Sequence, residues 1–116
     1  MAQIQAQIQF VEGIKEDVVP DVRMTSSKDG TNGRAFFTFH KPNALAPDFN
    51  QEITGMYLVD EEGQLVSRDV KGKFINGEAT DLEVIYTWKT VADRDRFLRF
   101  MERYGAENGL GFTKAE

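Results

Sequence analysis

Three consecutive carboxylates, Asp60, Glu61 and Glu62, are the densest group of reactive side chains in the sequence. Paired carboxylates can share a proton for acid–base catalysis or hold a divalent cation, provided that they converge. These three stand in "DEEG", a turn tip, where adjacent side chains point apart into water, so the sequence predicts a solvated turn. A hydrolase built on them predicts an activity that alanine at all three positions abolishes. His40 is the only histidine, and no cysteine is present to complete a transition-metal site with it, so a surface or structural role is expected. No phosphate loop, dinucleotide fingerprint, nucleophile elbow or HExxH helix appears. These observations argue against an enzyme and imply no cofactor and no metal.

The remaining candidate chemistry is adhesive. Arg96, Arg99 and Arg103 fall within about 60° of one another on a helical projection, opposite an apolar arc. One reading is a solvated face with Asp95–Arg99 and Arg103–Glu107 pairs at i,i+4 spacing. The other is a docking stripe, because guanidinium forks bind carboxylates and carbonyls bidentately. "EITGMYLVD" is apolar on both faces, which fits a central strand covered twice. Gly55 within it marks a bulge or the close approach of a partner backbone, with Met56 beside it. Beyond the last helix, Leu110, Gly111 and Phe112 form a short apolar tail that either folds on its own domain or orders against a partner.

The elements that position these groups are read from periodicity. "QIQAQIQF" alternates strictly, and "VVPDVRMTSS" and "RAFFTFHK" flank the turn dipeptides of "KDGTNG", giving a strand and a hairpin. "KPNALAPDFNQ" reads as a surface loop. From Glu52 to Lys89 three strands are expected, joined by "DEEG" and "NG", with Leu82, Val84, Tyr86 and Trp88 on one face of the last. Short connections allow only antiparallel pairing. A helix opens at Thr90 with Asp93 as capping partner, buries Phe97, Leu98, Phe100, Met101 and Tyr104, and ends at Gly105 or Gly109. Arg94 lies on its apolar side and is expected to run its stem along the core edge. The predicted class is α+β: a mostly antiparallel sheet of hairpin-linked strands with a principal C-terminal amphipathic helix packed on it.

At 116 residues the chain is expected to be a single domain, with a flexible tail from about residue 109. The net charge of −5 disfavours general nucleic-acid binding, although the segment from Asp93 to Arg103 carries +1 by itself. Without cysteine, without a run of roughly 18 apolar residues and without a basic-then-apolar leader, the sequence predicts a soluble protein that works where it is made.

Three stretches together, "VVPDVRMTSSKDG", "EITGMYLVDEEGQLVSRDVKGKFING" and "DRFLRFMERYGAENGLGF", resemble the photosystem II reaction-centre protein 28 family, small assembly factors of cyanobacteria and plastids. The likeness runs from about Phe10 to Thr113. It implies a non-catalytic factor, peripheral on the cytoplasmic or stromal face of the thylakoid membrane and bearing no cofactor. Such a factor binds photosystem II core subunits and the inner antenna subunit in assembly intermediates, where a partner strand extends its sheet. The resemblance further implies protection of the immature reaction centre during biogenesis or repair, most simply by a monomer. It and the residue reading together place partner contacts at Arg23, Thr25, Gly55, Met56, Arg96, Arg99, Arg103, Leu110 and Phe112. The duplicated "AQIQ", Arg94 in place of a tryptophan, and Ser27 and Lys28 in an otherwise arginine-rich loop depart from the family pattern, as a divergent member or paralogue would. A rival reading is a regulatory interaction module linked to tetrapyrrole supply or another thylakoid complex.

Overall fold

The computed structural model describes residues 5–109 together with Thr113 and Lys114. Their strands form two sheets rather than one. The first has the order β2-β1-β5-β6, comprising β1 (Gln7–Val11), β2 (Ile14–Lys15), β5 (Met56–Asp60) and β6 (Gly63–Ser67). The second has the order β7-β8-β4-β3-β9, with β3 (Asp21–Ser26), β4 (Gly33–His40), β7 (Val70–Ile75), β8 (Glu78–Trp88) and β9 (Thr113–Lys114). Every pairing is antiparallel except β3 with β9, which is parallel. The mostly antiparallel α+β class therefore holds.

Glu52–Lys89 carries four strands, not the three expected. The additional break falls at Arg68 and Asp69, where the chain passes from the first sheet to the second. Ser67 Oγ donates to the Ile85 carbonyl at 2.5 Å, and Ile85 N–H donates to the Asp69 carbonyl at 3.1 Å. Those bonds pin the crossing against β8, and no glycine or proline advertises it. The β7–β8 turn is legible, because Asn76 and Gly77 both take positive φ (54° and 81°), as a two-residue hairpin turn of this twist requires.

The helix α1 (Val91–Asn108) begins where Thr90 Oγ1 accepts the Asp93 N–H at 3.0 Å and ends at Gly109 in the left-handed region, φ 68°. Gly105 lies inside it. Phe97, Phe100, Met101 and Tyr104 are fully buried, and Leu98 is only partly so. Phe97 stacks on Tyr86 with centroids 4.8 Å apart and on Trp88 at 5.5 Å, and meets Phe37 edge-on at 6.1 Å. Phe10 joins the two sheets by an edge-on contact with Phe39 at 4.8 Å. These offset and T-shaped geometries suit aromatic quadrupoles and fill the core without a sulfur bridge.

The expected surface loop after His40 is partly interior. A 3₁₀ turn at Asn43–Leu45 buries Ala44, and the buried carboxylate of Glu16 accepts the N–H groups of Asn43 (2.9 Å), Ala44 (3.0 Å) and Val18 (3.0 Å). Glycine is required most strictly at Gly33, where an added Cβ would collide with the Thr25 carbonyl and the Trp88 ring. Because backbone supplies part of that obstacle, Gly33→Ala is expected to lower unfolding free energy by about 2 kcal/mol or more, as overpacking does. Urea denaturation checks this, and a change below about 0.5 kcal/mol would mean that the hairpin relaxes freely.

Candidate functional site

The β5–β6 turn and the exposed flank of α1 meet in an ion-pair lattice. Asp60 ends β5 with its side chain at 0% exposure, and it accepts Arg96 bidentately, Nη2 to Oδ1 at 2.6 Å and Nη1 to Oδ2 at 3.0 Å. Arg103 Nη1 reaches the same carboxylate at 2.8 Å and Glu62 at 2.6 Å. Arg99 grips Glu62 through Nε and Nη2, both at 2.9 Å. Glu61 approaches Arg103 Nε at 3.4 Å. The turn closes on itself as well, with the Glu62 N–H donating to Asp60 at 3.0 Å.

The solvated turn expected for "DEEG" is therefore corrected: its carboxylates converge on cations instead of pointing apart into water. The arginine stripe is corrected with it. Among the described residues neither Asp95–Arg99 nor Arg103–Glu107 forms, because helix spacing places the arginines opposite the turn, where Arg99 turns to Glu62 and Arg103 to Asp60 and Glu62. Burial opposes ionisation of Asp60, yet the hydrogen bonds from Arg96 and Arg103 outweigh it, and its carboxyl titrates below the ordinary range. Arg99 and then Arg103 hold Glu62 down to about 2. A fully ionised, charge-compensated lattice offers no poised proton and no free carboxylate pair for a metal. It clamps.

The other sequence candidates separate. Met56 is fully buried, so it belongs to the core and not to a partner surface. Gly55 sits just before β5, where a Cβ would stand 3.0 Å from the Ser67 carbonyl, and it lines a cleft of about 290 Å³ with Arg68 and Gly72. Arg23 and Thr25 are exposed on β3, and the Arg23 guanidinium lies 5.6 Å from the Phe36 ring. Arg94 does run along the core edge, and Nη1 donates to the Gly30 carbonyl at 3.0 Å. His40 bridges Asp21 (3.1 Å) and Asp81 (3.2 Å) across three strands. Leu110, Gly111 and Phe112 lie outside the described residues; beyond them Thr113 and Lys114 pair with Arg23 and Met24 of β3.

Sequence reasoning missed the surface at β7. Among the described residues β7 pairs with β8 alone, leaving its other edge open. Phe74 at 65% and Ile75 at 55% are the most exposed large apolar side chains described. The signal was "KGKFING", whose apolar pair beside an Asn-Gly turn has no alternating partner face.

Removing Asp60 strands two cations, so Asp60→Ala is expected to cost about 3 kcal/mol, whereas Glu61→Ala changes stability by less than about 0.5 kcal/mol; chemical denaturation of both variants tests the ranking. Since Asp60 and Glu62 titrate lower folded than unfolded, their contribution is complete above about pH 4.5 and fades as pH falls toward about 2. Glu62→Gln should flatten that acid limb of the melting-temperature profile. An unchanged limb would remove Glu62 from the clamp.

Comparison with known proteins gives this geometry a family. The family model described as Psb28 protein matches residues 8–112. The "Photosystem II reaction center Psb28 protein" of Synechococcus elongatus is 56% identical, with 95% of this chain and 98% of the relative covered. The "Photosystem II assembly factor Psb28 protein" of Thermosynechococcus vestitus is 53% identical, covering 96% of this chain and 95% of the relative. A Parasynechococcus marenigrum relative, also named a photosystem II reaction center Psb28 protein, is 52% identical over 94% of this chain and 86% of its own length. With a family match across nearly the whole sequence and relatives above half identity, this chain belongs to the Psb28 family.

Proposed function

We infer that this chain is a non-catalytic photosystem II assembly factor. It binds assembly intermediates transiently at the cytoplasmic or stromal face of the thylakoid membrane and protects the immature reaction centre during biogenesis or repair. The relative from Thermosynechococcus vestitus bears the assembly-factor name, and no described helix is long and apolar enough to cross a membrane. Its partners are core subunits and the inner antenna subunit, and it engages them as a monomer by surface complementarity, without a cofactor.

The observation that carries this reading is the open edge of β7, six residues long, with Phe74 and Ile75 at its outer end. An unpaired edge presents a row of backbone donors and acceptors to an extended segment of another chain. Arg23 and Thr25, which are exposed, and Gly55, which is buried but lines the cleft, stay on the proposed docking surface. Arg96 and Arg103 are assigned to the clamp, and Arg99, at 48% exposure, is its outer member.

Affinity isolation from detergent-solubilised membranes tests the reading. Core and inner-antenna subunits should be recovered without extrinsic oxygen-evolving proteins; enrichment of tetrapyrrole enzymes instead would favour a regulatory module. Arg99→Gln should leave recovery within about twofold of wild type, as expected of a partly exposed pair outside the contact. A tenfold loss would return the arginine face to the docking surface.

A further inference from the structure

We propose that the β7 edge and the cleft beside it select an extended peptide segment in which apolar and acidic residues alternate. The proposal rests on the reading of β7 as a docking edge and adds the chemistry of what docks there. Register fixes which side chains face which way. Val70 pairs with Val84 and Gly72 with Leu82, and the two β8 side chains are buried on the core side, whereas Lys71 pairs with Glu83 and Lys73 with Asp81 on the outer side. Phe74 returns to the core side, since a Cβ on Gly72 would lie 3.3 Å from its ring.

On the core side the edge opens over the cleft of about 290 Å³, lined by Ile53, Gly55, Arg68, Val70, Gly72 and Leu82. Its two glycines leave room where side chains would stand, and Ile53, Val70 and Leu82 supply aliphatic wall alongside the polar Thr54 and Arg68. A strand added to β7 must send alternate residues over this cleft and Phe74, where apolar side chains are favoured. The intervening residues fall beside Lys71 and Lys73. Both lysines are exposed, and neither forms an ion pair among the described residues, although Glu83 and Asp81 flank them on the β8 side. Acidic residues on the incoming strand complete rows of acid, lysine and acid, the favourable cross-strand arrangement, whereas basic residues would meet like charge. Arg68, held by the Thr54 carbonyl at 2.8 Å, adds a cation at the cleft wall.

Short capped peptides provide the probe, one alternating leucine with glutamate and one alternating leucine with lysine. The net charge of −5 would by itself draw the basic peptide, so a preference for the acidic one must come from the local surface. Amide chemical shifts of the full chain should follow β7, with the leucine–glutamate peptide binding at least about tenfold tighter. Lys71→Glu with Lys73→Glu should reverse the preference. Gly72→Val should fill the cleft and weaken the acidic peptide about tenfold without lowering the melting temperature. Equal affinities, tighter binding of the basic peptide to wild type, or indifference to the lysine reversal would overturn the proposal. Peptide discrimination without recovery of photosystem II subunits would sink the assembly reading and leave this one standing; recovery without discrimination would do the opposite.

Discussion

A carboxylate shut away from water between two guanidinium groups sets the geometry of this molecule. Asp60 at the end of β5 is the point at which α1 can satisfy both Arg96 and Arg103. Charge pairs of this kind add less to net stability than to orientation, because desolvation offsets most of their Coulomb energy, whereas leaving one member unpaired is costly. The helix therefore has one azimuth. In that azimuth Phe97 meets the aromatic rings of the second sheet while the arginines face the hairpin of the first. The lattice and the aromatic stack enforce each other from opposite sides of the same helix.

Much of this architecture is written locally. Alternation in β4 and β8, the Asn-Gly turn, the Thr90 cap and the Gly109 stop all act over a few residues, and each is found where the pattern places it, whereas in β1 Gln9 is buried along with Ile8 and Phe10. The clamp is another matter. Its partners lie 36 to 43 positions apart, and nothing in "DEEG" or in the arginine spacing says that the two will face. Taken alone, each looks solvated. The same holds for Glu16, which caps a turn 27 and 28 positions away. The division into two sheets was hidden because the crossing at Arg68 and Asp69 uses polar residues with no turn signature, and one bond from the Ser67 hydroxyl and one between backbone groups do the redirecting.

Functional consequences follow from what the clamp removes from the surface. An exposed stripe of arginine would be a sticky, weakly selective docking device, whereas neutralised and partly covered arginines would, on the proposed reading, leave recognition to shape and backbone pairing. A preformed strand edge such as that of β7 gives a partner little to reorganise, which keeps the ordering cost of association low. Such economy would suit the transient binding proposed for this chain.

Amide hydrogen exchange across the chain, measured free and bound to isolated photosystem II assembly intermediates, tests this division between inner clamp and outer edge most directly. The account predicts new protection along Val70–Ile75, with α1 exchanging as slowly as before. Protection gained at Arg96–Arg103 while β7 exchanges unchanged would contradict it.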